Sequence, residues 1–240
     1  MSGPTVEPVR KRTAYEGAAR LWHGALLAVV LAALLTQVVL VVQGGEDVNS
    51  GSTGPHTGAG ARLVQMFSYF TVQSNVLVAL SCADLLLFPG RDGPLRRVLR
   101  ADALIGIVIT GLVFALVLAP DIEVSGIGLW VTSGFHYVAP PAALLGWLLF
   151  GPRGRMDAAT LVRAFVWPLA WLAYTLLHGA VTGWYPYPFL DVAARGYATA
   201  LTNTSLVLVF AIALALLFRW VDRFLPGAYG VRCERTPQGG

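Results

Sequence analysis

The run "YFTVQSN" (69–75) sets four polar side chains, Thr71, Gln73, Ser74 and Asn75, inside a stretch that is otherwise apolar. Two histidines, His136 and His178, lie in similar surroundings. An ionisable residue at membrane depth points to a functional site, and hydroxyls and amides beside it would make a polar pocket. Ser, Thr and Asn in membrane helices also serve simply as hydrogen-bond partners between helices. Metal chemistry has no footing: His23, His56, His136 and His178 show no HExxH-type spacing. Cys82 and Cys233 form neither a CxxC motif nor a disulfide framework. There is no glycine-rich phosphate loop, so neither metal nor cofactor is expected.

The elements that carry these residues follow from composition. Hydrophobic residues make up 56% of the 240-residue chain and charged residues 12%, with mean hydropathy +0.65. A soluble domain carries about 25% charged residues. Apolar runs at 20–43, 63–88, 102–120, 129–150, 161–183 and 197–219 are each close to the ~20 residues that cross a bilayer. Lipid offers no partner for free backbone groups, so such runs must be helices. The fold predicted is all-α: a polytopic membrane protein, a six-transmembrane-helix bundle over 20–219, with tails at 1–19 and 220–240. The one long connection, 44–61, is rich in Gly, Ser and Thr and reads as a flexible loop.

Basic residues set the orientation. Lys11 is the only lysine among 17 basic residues. With the N-terminus inside, the inner flanks hold Arg10, Lys11, Arg12, Arg20, Arg91, Arg96, Arg97, Arg100, Arg153, Arg155, Arg163, Arg219, Arg223, Arg232 and Arg235. The outer flanks hold only Arg62 and Arg195. This bias predicts both termini cytoplasmic and a multi-pass protein of the plasma membrane. Short arginine clusters beside apolar runs are topology signals, so no nucleic-acid partner is expected and membrane lipids are.

Depth and helical spacing then group the polar residues. Thr71 lies nine residues inward of Arg62, ~13 Å along a helix. His136 lies six residues inward of Trp130, and His178 six inward of Trp184, each ~9 Å. Ser68, Thr71 and Asn75 form one stripe on the second span, with Ser74 at its border. Thr132 and His136 share a face, as do Tyr174, His178 and Thr182. Converging faces would line one polar pocket in the outer half of the membrane. Pro140 and Pro141 follow His136 and predict a kink there. His23 reads as interfacial, His56 as solvated, Asp84 as the partner of a nearby arginine, and Asp102 as the acid that starts the third span.

The stretch "VTGWYPYPFLD" (181–191) crowds aromatics and prolines at the end of the fifth span. It resembles the "VTG…YPFLE" segment of the androgen-induced, FAR-17a-like membrane proteins of animals, six-pass hydrolases of fatty-acid esters of hydroxy fatty acids. In that family a threonine on the second span and a histidine on the fourth are the essential pair. The resemblance assigns those roles to Thr71, in "YFT", and to His136, which precedes Pro141 by five positions. Val181, Thr182, Gly183, Tyr187, Pro188, Phe189 and Leu190 match the third block, and Asp191 replaces a glutamate. The chain is more similar still to the bacterial six-pass Pr-six-Pr family. It departs from the animal proteins in the "SN" after "YFTVQ". His178 also falls a position or so from their histidine pair.

The resemblance implies a lipid-ester hydrolase: Thr71 attacks a fatty-acyl ester and His136 takes its proton. Asn75, Ser68, Tyr174, His178, Thr182, Trp184, Tyr187 and Asp191 would line the pocket. Tyr174 and Asp191 are the candidates to orient His136. The alternative is a non-enzymatic six-pass protein that transports or binds a small molecule or lipid, or serves as a structural subunit.

Overall fold

The computed structural model describes residues 7–50, 52, 53 and 58–225. His56, Arg232, Cys233 and Arg235 lie outside them. Nine α-helices occupy the described residues. They are α1 (Glu7–Val42), α2 (Ala59–Ser68), α3 (Phe70–Leu87), α4 (Pro94–Val113), α5 (Ile127–Thr132), α6 (Ala139–Phe150), α7 (Ala158–Ala164), α8 (Val166–Thr182) and α9 (Val192–Phe224). A π-helical turn over Phe114–Leu118 extends α4, and a second over Ser133–Val138 joins α5 to α6. The only strands described are two residues each, β1 (Glu46–Asp47) antiparallel to β2 (Ser52–Thr53).

Among the described residues, five segments are long and apolar enough to cross a membrane: Ala14–Val42, Phe70–Leu87, Pro94–Leu118, Ala158–Thr182 and Val192–Phe224. The chain therefore has the helices of an integral membrane protein. Residues 127–150 are also continuously helical, through α5, the π turn and α6. Ser133, His136, Tyr137, Pro140 and Pro141 dilute their apolar character. Large apolar side chains stand exposed on the outer faces, Leu177 and Val181 of α8 and Leu206 and Leu216 of α9 among them. Lipid is the solvent that such faces require.

The helix α4 is the axis of the bundle. Its residues Ala101–Thr110 are buried without a break, and a helix apolar all round belongs at the centre. Leu26 and Val30 of α1, Val78 and Cys82 of α3, and Leu214 and Phe218 of α9 join Leu104 and Ile107 in one core. Glycine sets the closest approach. A Cβ on Gly111 would lie 2.7 Å from Pro140 Cγ, so α4 and α6 touch ring against backbone. At the other end of α9, the buried Asp222 carboxylate accepts from the amides of Arg155 (2.8 Å) and Met156 (3.1 Å). That clamp fixes the connection between α6 and α7.

Three expectations change. The run 63–88 is two helices, because Tyr69 is extended (φ −68°, ψ 132°) between α2 and α3. Asp102 does not start a helix: α4 begins at Pro94, and Asp102 is buried a further two turns along. Part of the 44–61 connection is folded, with Val48 and Asn49 buried and Asp47 accepting from the Asn49 amide and side chain. Arg62 closes this region by donating to the Val41 and Val42 carbonyls at the end of α1.

Candidate functional site

The break at Tyr69 exposes backbone groups that an unbroken helix would pair. The first amides of α3 and the last carbonyls of α2 need partners from elsewhere. Neutral side chains supply them. The Tyr187 hydroxyl accepts from the Thr71 amide at 3.1 Å and lies 3.3 Å from Thr71 Oγ1. The Trp171 indole donates to the Ser68 carbonyl at 2.8 Å. Ser68 Oγ donates to the Val64 carbonyl, and Tyr174 OH lies 2.7 Å from that oxygen, placed to donate to it. Gln73 donates to the Phe67 carbonyl and accepts from the Trp167 indole. Asn75 donates to the Thr71 carbonyl at 2.9 Å. "YFTVQSN" is thus the start of a broken helix together with two of the side chains that mend it, Gln73 and Asn75.

Thr71 is buried, and its hydroxyl partner is Tyr187. Burial pushes the Tyr187 phenol up to about 12. Tyr187 therefore keeps its proton at neutral pH and serves as a hydrogen-bonding group, not as a base. Its oxygen accepts from the Thr71 amide, and either hydroxyl can donate in the contact with Thr71 Oγ1.

His136 sits apart from this pair. It occupies the π turn that runs into Pro140, and the other π turn likewise runs into a proline, Pro120. Proline has no N–H for the carbonyl one turn back, so the ladder widens. The two wide turns face each other, and the His136 ring stacks on Phe114 at 3.6 Å between centroids. His136 Nδ1 lies 3.3 Å from the Thr132 carbonyl. Only a donor suits that contact, so Nδ1 carries the proton and Nε2 is the basic nitrogen. The orienting group anticipated as Tyr174 or Asp191 is this backbone carbonyl. Among the described residues no hydrogen bond joins His136 to Thr71. Phe114 and Tyr187, their respective neighbours, belong to one buried cluster with Tyr69 and Phe135.

The remaining predicted pocket residues form a second group on the far side of Tyr69. The Tyr69 ring meets Trp184 edge-on at 5.6 Å and Tyr187 at 5.5 Å. Trp184 meets His178, and His178 meets Tyr174. Thr182 is exposed and donates to the His178 carbonyl. Asp191 caps α9 by accepting from the Ala194 amide at 3.0 Å, so its carboxylate has a helix to hold.

A cleft of about 770 Å³, counted out to its open mouth, runs from Thr71 and Tyr187 between α4, α8 and α9. Its walls are apolar, with Val113, Leu172 and Leu208 among them, and its polar atoms come mainly from Thr71, Thr110, Tyr187 and Thr204. Thr110 Oγ1 is buried and has no hydrogen-bond partner among the described residues, as are Ser74 Oγ and Asn75 Oδ1. Tyr187 as the hydroxyl's partner, Trp171 as a cap and Thr110 in the cleft wall were not singled out for these roles from the sequence. Trp167 and Trp171, one turn apart on the fifth span, are the signal that was there to read. Comparison with models of protein families, with curated proteins and with solved structures returns no match.

Proposed function

We propose that this membrane protein binds an acyl-bearing lipid in the cleft between α4, α8 and α9, with a carbonyl or carboxyl head at Thr71 and Tyr187. The observation that carries this reading is one apolar cleft whose few polar atoms include the paired Thr71 and Tyr187 hydroxyls. Thr110 adds a hydroxyl without a partner there, and a buried hydroxyl gains by meeting a ligand's polar atom. An open cleft with this apolar lining suits a chain entering sideways from lipid. Residues 127–150 are the sixth crossing in this reading, less apolar because they carry His136 and the two prolines. Both termini are cytoplasmic. The positions of Arg62 and Arg195 support that orientation, since each is bonded to backbone carbonyls where a helix ends or starts. Alkaline phosphatase and green fluorescent protein fused after Phe224 read this out: fluorescence without phosphatase activity is expected, and the reverse overturns the topology.

The binding test uses a photoactivatable fatty-acyl ester on the detergent-purified protein. Labelling is expected on α8 and α9 and should fall at least fivefold in Leu208→Trp, which fills the cleft. Equal labelling of that variant overturns the reading.

The hydrolytic version rests on the resemblance of Thr71 and His136 to a threonine/histidine pair. Thr71 Oγ forms the bond to the acyl carbon while its proton passes to His136 Nε2, and the ester C–O bond breaks with that proton going to the leaving alcohol. Water then cleaves the acyl-threonine. The tautomer at His136 supports this step, because Nε2 is the free base. The separate hydrogen-bond partners of the two residues favour the binding-only alternative. Hydrolysis of a long-chain ester by the wild type, abolished in both Thr71→Ala and His136→Ala, is the outcome expected of an enzyme. Lipid labelling with no turnover, or turnover that survives either substitution, leaves a lipid-binding protein.

A further inference from the structure

At the opposite end of α3 and α4 from Thr71 lies a second, open cavity. Three arginines line it: Arg97 and Arg100 from α4, and Arg155 from the connection after α6. The rest of its wall is apolar, from Leu26, Val78, Leu104, Ala143 and Trp147. Two carboxylates hold four guanidinium groups at its rim: Asp84 pairs with Arg96 and Arg100, and Asp92 with Arg97 and Arg155. Asp157 lies 3.6 Å from Arg97 and has a half-exposed side chain, and Asp222 accepts from the Arg155 and Met156 amides. The arginines thus present N–H donors beside an apolar wall. A second observation points to a ligand. His23 lines this cavity, is 7% exposed, and its Nδ1 has no hydrogen-bond partner among the described residues.

We propose that this cavity is a phosphate-binding site, and that the phosphate is carried by a lipid whose acyl chain follows the apolar wall. Guanidinium groups match phosphate oxygens in geometry and charge. The His23 ring supplies a further donor when Nδ1 carries its proton. Asp84 and Asp92 hold the arginines at the rim, so the site is preorganised rather than assembled by the ligand. A diacylglycerol lacks the anion and inorganic phosphate lacks the chain, which separates the two sources.

The test is binding to the full-length protein, delipidated in detergent, by native mass spectrometry and thermal shift with phosphatidylglycerol, diacylglycerol and inorganic phosphate. Two variants probe the two halves of the site. Arg155→Gln removes one charge and leaves Asp92 its pair with Arg97. Ala143→Met narrows the apolar wall and changes no charge. Saturable binding of phosphatidylglycerol, but not of diacylglycerol, that weakens at least tenfold in both variants is the result expected. Saturable inorganic phosphate binding weakened by Arg155→Gln alone upholds the anion site and assigns it to free phosphate. Absence of saturable binding of either anion overturns the proposal. So does binding that neither substitution changes, which marks a general attraction to the arginine-rich surface.

Discussion

The two ends of α3 solve the same problem with different chemistry. At the Tyr69 end, unpaired backbone groups are met by a phenol, an indole, an amide and hydroxyls, none of them charged. At the Asp84 end, two carboxylates hold four guanidinium groups. A neutral hydrogen bond is cheap to bury once made, whereas a charge in hydrocarbon costs several kcal/mol unless water or a partner reaches it. Asp92 and Arg97 both keep about a quarter of their side-chain surface in contact with solvent (27% each). The contrast is the one expected of a helix with its Tyr69 end within an apolar layer and its Asp84 end at an aqueous edge.

Removing the acid from the charged end should have the largest effect. Asp84→Ala leaves Arg96 and Arg100 without their shared partner, a loss of roughly 3 kcal/mol for a mostly buried pair. Thermal unfolding in detergent should show it. A shift no larger than that of an exposed substitution would mean that water already screens this end. Next comes Gly111→Ala, in the last turn of α4. Its methyl would collide with the Pro140 ring and should cost about 1–3 kcal/mol, as overpacking does. This effect should be the same at low and high salt, which sets a baseline for both ends. Tyr187→Phe should cost about 1 kcal/mol by unpairing the Thr71 amide. It too should be indifferent to salt, and a salt-dependent loss would show that the Tyr69 end is not dry.

The smallest effect is a pH response confined to the charged end. Its hydrogen bond from Arg97 holds the Asp92 carboxyl down at about 2, below its ordinary 3.8. The stability it contributes is complete above pH 3.8 and disappears as pH falls through about 2. Solvent screening keeps that contribution below ~1 kcal/mol. Acid titration of the melting temperature should flatten over this window in Asp92→Asn and keep its slope in Tyr187→Phe.

Much of the helical plan was legible in the sequence, because run length and apolar content dictate helices in lipid. Five of the six apolar runs correspond to the helices long and apolar enough to cross. The sixth, 129–150, is helical but diluted by the residues that made it interesting. The break at Tyr69 was not legible. Tyr and Phe are ordinary helix residues, and only the later arrival of Tyr187 and Trp171 makes an extended Tyr69 tolerable. Asp102 was misplaced because charge was used to start the third span, whereas Pro94 at the first helical position starts α4. For the candidate site, the residue types were visible but not their partners. Thr71 and Tyr187 lie 116 positions apart, and helical periodicity carries no information over such a distance.

That separation has a consequence for biogenesis. A membrane protein enters the bilayer as the ribosome makes it, from the first helix to the last. The broken start of α3 must leave the translocon before Tyr187 has been translated. Its amides must meanwhile be held by water or by the insertion machinery. The same delay applies to the Arg155 and Met156 amides, which wait for Asp222 near the end of α9. Both fastenings are late, so a chain stopped before α9 would hold its early helices in the membrane with neither the Asp222 clamp nor a settled 183–191 connection. Such a fragment should be a substrate for membrane quality-control proteases.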